Sequence, residues 1–313
     1  MGESQENYQK GIIEEASPDA LFITLNRAVF DANKDLASFL AILASIPKVI
    51  LDVQDSHPTA KLYTTIGFSS DFWDFLKFSA KPKKLIKFQA IHNAKVSMPA
   101  TDADMLLHIR SERHDVNYKL ALTLYALLQP YLTLDEMVKG FRYLDSRDLT
   151  GFVDGTENPQ GEERKSVALV ADDAAAFNQG SYIHLQKYHH DLAHWQRFSL
   201  QQQEDSYGRS KQENIEYSAV DKASCAHTKR SAIKDQQGQS VEILRHSLPF
   251  GDLKHSGLLF ASYAASPDNF NLILANMCQV DDQEAIDSIL QVTEAVTGHA
   301  FFTPNLRWFE NII

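Results

Sequence analysis

The sequence predicts an α+β protein made of two like halves, on three observations. Segments of strand and helix character alternate along the chain, their succession begins again after Tyr143, and each half is about 150 residues, the size of an ordinary domain. The expected division is 1–147 and 148–313. Hydrophobic residues make up 44% and charged residues 23% of the 313, with 13 Gly, 10 Pro and 2 Cys, so a disordered, collagen-like or disulfide-stapled chain is excluded.

In the first half, residues 21–25 (LFITL) form an apolar run bounded by Pro18, which predicts a buried strand. Residues 31–45 space their apolar side chains for one helix face and are expected to stop before Pro47, leaving 49–53 (VILDV) as a second strand. Residues 63–78 read as a turn and a short aromatic helix. Residues 86–90 with Val96 lead to a strand at 106–111, and a helix follows from about 114 to 128, ending before Pro130.

The second half opens on a glycine-rich turn at 151–159. Strands are expected at 166–170 and 180–187, a helix at about 191–198, and a long polar stretch at 201–239 that holds Arg209 and His227. A loop of that length in a compact domain is usually functional or disordered. Further strands are expected at 241–247 and 257–264, and a last helix at about 283–296, carrying Asp287.

Thirty Lys and Arg against 41 Asp and Glu give a net charge of -11, which repels phosphate backbones and anionic lipid heads, so nucleic acid is not an expected partner. No run of 18 uninterrupted apolar residues predicts a membrane span, and the polar start lacks the pattern of a secretory or transit signal. Cys225 and Cys278 match no metal or disulfide spacing. A reducing, cytoplasmic location is the expectation.

The stretch most informative about chemistry is GFVDGTENP (151–159). Asp154-Gly155 is a strong turn pair, because Gly accepts positive φ and Asp accepts a hydrogen bond from its own downstream backbone. Physics alone leaves open whether this is only a hairpin turn. The stretch resembles the signature of the dye-decolorizing peroxidases, haem enzymes whose motif is Gly, two residues, Asp, Gly, here Gly151, Asp154 and Gly155. ATDADMLLHIRSERHDV (100–116), SCAHTKR (224–230), ILRHSLPFG (243–251), HSGLLFASYAA (255–265) and VTGHAFFTP (296–304) agree in order and spacing, and the likeness is greatest to the compact cytoplasmic branch.

The resemblance implies a ferredoxin-like α+β fold repeated twice with antiparallel sheets, haem b on the C-terminal half, and reduction of hydrogen peroxide with electrons from a phenol, dye or porphyrinogen. It also implies a homo-oligomer, a dimer or larger. His227 would be the proximal haem ligand, bonded through its other nitrogen to Asp287, with Asp154 and Arg245 on the distal side. Ser247 stands where the family often has Asn, Leu258 and Phe260 would wall the distal pocket, Arg209 would meet a propionate, and Gly155, Thr156 and Glu157 would border the cofactor. A haem-carrying or iron-releasing role is the alternative; an acid and a cation facing peroxide favour the enzyme.

These residue types suit those tasks. Haem iron needs a basic nitrogen, and a carboxylate accepting the second N–H fixes the tautomer and raises ligand basicity. Peroxide must give up one proton and its departing oxygen must receive one, so a single group cycling between base and acid is required. A neighbouring guanidinium keeps an Asp ionised, burial opposes it, and the balance predicts a working range on the acid side of neutrality.

Overall fold

The computed structural model describes residues 6–28 and 35–312, so residues 31–34 of the first expected helix lie outside it. The first half runs β1 (Asp19–Arg27), α1 (Leu36–Ser56), β2 (Tyr63–Ser69), α2 (Ser70–Phe75), β3 (Ile91–His92), β4 (Ser97–Met98), β5 (Met105–Ser111), α3 (His114–Leu128) and β6 (Leu132–Phe141). The second runs α4 (Glu163–Ala168), β7 (Ser181–His190), α5 (Leu192–Trp195), α6 (Leu200–Tyr207), α7 (His227–Ser231), β8 (Leu244–Arg245), β9 (Leu248–Gly251), β10 (Ser256–Ala264), α8 (Pro267–Cys278), β11 (Thr293–Ala295), β12 (His299–Thr303) and α9 (Leu306–Glu310).

The main sheet has the order β6-β1-β5-β2-β12-β7-β10-β8. In each half the first long strand lies between the fourth and the third, with helices in the two crossovers, which is the ferredoxin-like arrangement made twice. All its pairings are antiparallel, and β2 and β12 join the halves through Phe68 and Phe302. The sheet curls until β6 lies on β9. A Cβ at Gly140 would sit 2.8 Å from the Leu248 Cβ, so this near-closure requires glycine. Strands β1 and β5 are buried on both faces, which is why residues 21–25 of β1 read as an apolar run without alternation, while β5 also buries His108 and Arg110.

Trp73 locks the halves together. It is buried, its Nε1–H donates to the Ala80 carbonyl at 2.9 Å, and its ring meets Phe68 of its own half and Phe177 and Phe302 of the other at 5.8–6.1 Å. Trp73→Ala leaves a cavity at that junction and is expected to cost about 3–5 kcal/mol, read as a lower denaturant midpoint with both halves unfolding together.

Several elements differ from expectation. Helix α1 continues through Pro47, so residues 49–53 are its second part and not a strand. Phe39, Leu43, Ile46 and Val53 are buried at helical spacing on both sides of the proline, and burial of that face outweighs the lost hydrogen bond. This helix is long and apolar enough to cross a membrane by length and composition, yet it packs its buried stripe into the core and lies against α3 and α9. Residues 63–69 are strand before the aromatic helix begins. Residues 163–168 are helix, with Arg164 and Ala168 buried one turn apart, where a strand was expected from 166. Only Leu244–Arg245 and Leu248–Gly251 of the 241–251 region pair as strand. The expected last helix is instead a 3₁₀ turn (Ser288–Gln291) followed by β11.

Candidate active site

One cavity of about 320 Å³ opens in the second half, and most of the expected residues line it: Asp154, Gly155, Thr156, Glu157, Arg209, His227, Arg245, Leu258 and Phe260. Five separate segments bring them there. The motif loop supplies Asp154. Its nitrogen donates to the Ser146 carbonyl at 3.0 Å, and the Gly155 N–H donates to Asp154 Oδ1 at 2.7 Å, with Gly155 at φ +77°, a region that glycine enters without strain. Phe152 anchors the loop from beneath, stacked on Tyr207 at 3.9 Å.

Arg245 comes from β8, which pairs with β10 at Ser262. Its Nε is buried and has no hydrogen-bond partner among the described residues. Burial pushes the Asp154 carboxyl above the usual range, and the Arg245 guanidinium works against that rise.

His227 opens α7, inside the polar stretch that begins with the capped helix α6; Ser199 and Gln202 form a capping box there. The His227 Nδ1 lies 2.7 Å from Asp287 Oδ2. Asp287 is fully buried and is not on a helix: it caps the 3₁₀ turn, its Oδ1 accepting from the Ile289 N–H at 3.1 Å. The short turn lets one carboxylate serve the backbone with one oxygen and the imidazole with the other. Because a carboxylate accepts, the proton resides on Nδ1 and Nε2 is left with its lone pair.

Leu258 and Phe260 alternate with the buried Leu259 along β10 and are only half-buried because their face borders the cavity. Ile243, Ile273, Leu274, Met277 and Leu290 complete the apolar wall. Arg209 is buried, with Nη2 3.6 Å from Glu157 Oε1 and Nε without a hydrogen-bond partner among the described residues.

Ser247 does not line this cavity. Its hydroxyl accepts from the Ala261 N–H at 3.2 Å, and it borders a smaller cavity of about 100 Å³ that shares Asp154, Gly155 and Arg245 with the first. A side chain as short as serine, turned to its own sheet, does not reach further.

Sequence reasoning passed over three other lining groups. His190 lies between Thr293 Oγ1 at 2.7 Å and Asp148 Oδ1 at 3.1 Å. Burial would raise the Asp148 carboxyl, but His190 and the Thr150 hydrogen bonds hold it below the usual range. Tyr207 sets its ring edge-on to His227 at 5.8 Å, and its hydroxyl is 2.7 Å from that of Thr150. No local motif marks these residues; His190 ends β7, Tyr207 ends α6 and Asp148 lies in a loop, and only the folded chain brings them to the cavity.

Two family models cover the chain, that for the Dyp-type peroxidase N-terminal region over residues 9–142 and that for the C-terminal region over residues 145–307. The dye-decolorizing peroxidase of Mycolicibacterium paratuberculosis is 35% identical over 302 residues, 96% of this chain and 84% of that protein. Among solved structures, the encapsulated DyP-type peroxidase from Mycobacterium smegmatis superposes with a TM-score of 0.92 at 32% identity, covering 97% of this chain and 98% of that one. A DypB variant of Rhodococcus jostii in complex with heme gives 0.90 at 33% identity, covering 96% and 97%. With both family models matched in order along a fold shared nearly end to end, the chain belongs to the Dyp-type peroxidase family.

Proposed function

We propose that this chain is a haem-dependent peroxidase in which Asp154 carries the proton, Arg245 is the fixed cation and His227 is the axial ligand to iron. The observation that carries the reading is the pairing of one imidazole, its Nδ1 held by a fully buried carboxylate, with an Asp and an Arg lining the same cavity.

The residues present fit a haem. Its flat apolar faces match the Leu258, Phe260, Leu274 and Leu290 wall, its iron needs the one basic nitrogen that His227 offers, and its carboxylates suit the unpartnered Nε side of the buried Arg209. Bound haem supplies the two-electron exchange with peroxide and the one-electron exchanges with a donor.

The chain's own groups then act as follows. His227 keeps its proton on Nδ1 toward Asp287, so Nε2 stays basic. Asp154 Oδ1 is occupied by the Gly155 N–H, which leaves Oδ2 to take a proton from hydrogen peroxide and return it to the departing oxygen. The Arg245 guanidinium remains protonated and stabilises negative charge developing on the oxygens. The apolar wall limits the water that competes at these atoms.

Small organic donors, such as phenols, dyes or porphyrinogens, supply the electrons in this reading. Both cysteines, Cys225 and Cys278, are free, which supports work in the reducing cytoplasm. The test is peroxide-dependent oxidation of a phenol and of an anthraquinone dye by the haem-loaded chain. Turnover well above that of the same concentration of free haem is expected. Turnover no greater than free haem with both donors would overturn the reading.

A further inference from the structure

Asn158, the eighth residue of GFVDGTENP, is joined by its side chain to the main chain of Arg245 on both sides. Its Nδ2–H donates to the Arg245 carbonyl at 2.8 Å, and the Arg245 N–H donates to Asn158 Oδ1 at 2.8 Å. This is the reciprocal pair that a neighbouring strand would make. Strand β8 is two residues long, ends the sheet and has β10 on one side only, so one amide side chain stands in for the missing strand at Arg245.

The contact matters because, among the described residues, no hydrogen bond joins the two distal side chains directly. No hydrogen bond to the Arg245 guanidinium occurs among the described residues, so the place of its head follows from its backbone. On the other side, Asn158 is rigidly connected to Asp154: its N–H donates to the Gly155 carbonyl at 3.1 Å, and Gly155 in turn donates to the Asp154 carboxyl. The far end of the loop is held by Arg164, which donates to the Pro159 carbonyl at 3.2 Å and to the carbonyls of Ile13 and Glu14.

We propose that Asn158 is a positioning residue that sets the separation between the Asp154 carboxyl and the Arg245 guanidinium by docking the motif loop on β8. The inference rests on the proton-carrying reading of Asp154 given above. Besides Arg245, the groups acting on or from Asp154 are Asp148 before its own loop and His227 and Tyr207 across the cavity; Arg110, Arg142, Tyr143, Arg147 and His246 line the smaller cavity, and Glu157, His190, Arg209 and Glu216 the larger. Asn158 hydrogen-bonds only to the Arg245 member of this set, so its loss selectively weakens the influence that favours the ionised carboxylate.

The test compares haem-loaded parent, Asn158→Ala and Asp154→Asn in two ways: the rate with hydrogen peroxide across pH, and the titration of the carboxyl of residue 154 by infrared difference against the Asp154→Asn background. For Asn158→Ala we expect the carboxyl titration and the acid limb of the rate to move together to higher pH, the rate below that limb to fall about tenfold, and haem content to stay at the parent level. Asn158→Ser, whose hydroxyl can meet one of the two main-chain groups, is expected to move both in the same direction by less, and it serves if the alanine variant does not fold. A folded variant with both titrations at parent values overturns the proposal, as does a loss independent of pH that only follows haem loss, or failure of both variants to fold. An Asp154→Asn rate and limb equal to the parent's would instead bring down the reading of Asp154, and this inference with it.

Discussion

Asp154→Asn is expected to slow the reaction with hydrogen peroxide by about 10²- to 10⁴-fold while leaving haem bound, because the amide cannot take the proton yet fills the same space. The loop survives the change: the Asn oxygen still accepts the Gly155 N–H that Asp154 Oδ1 accepts now. The pH dependence follows from the raised carboxyl. An acid whose pKa is lifted by burial is protonated up to a higher pH than usual, and only its ionised form can act as base, so the parent rate falls as pH drops through that raised value and levels off above it. Arg245 opposes the rise, so the limb lies at lower pH than burial alone would set it. The variant has no such limb. Stopped-flow mixing with peroxide over a pH series checks both the size of the loss and the disappearance of the limb.

What the sequence revealed best is chemistry carried by contiguous motifs. GFVDGTENP, SCAHTKR and ILRHSLPFG each bring one group, and the structure places Asp154, His227 and Arg245 around a single cavity. The His227 to Asp287 bond was legible as a pairing but not as a local structure, because 283–296 has helix-like apolar spacing while Asp287, as the cap of a 3₁₀ turn, sends the chain directly into β11. Helix α8 went unpredicted although its start carries a clear signal: Ser266 caps it by accepting from the Asp268 N–H, and Pro267 occupies the first turn. The strand reading of 166–170 and of 49–53 failed for a common reason. Short apolar runs rich in Val and Ile suit either state, and burial on one helical face decided between them. Groups whose part depends on long-range neighbours, such as His190 beside Asp148 and Tyr207 beside His227, carry no local mark at all.

The same physical chain predicts that His227→Ala removes the haem site's hold on iron. No second imidazole replaces it: His190, the other histidine on the cavity, has both ring nitrogens engaged, by Thr293 and by Asp148. Removing His227 also strands the fully buried Asp287 carboxylate without its imidazole partner, a further cost at the same spot. The decisive measurement is a titration of ferric haem into parent and His227→Ala proteins, followed by the absorption spectrum, with free imidazole then added to the variant. The parent should take up one haem per chain with a defined ligand-bound spectrum, and the variant should lose that spectrum and regain it when imidazole diffuses into the vacated space. A variant that binds haem with the parent's stoichiometry and spectrum before any imidazole is added would contradict the account.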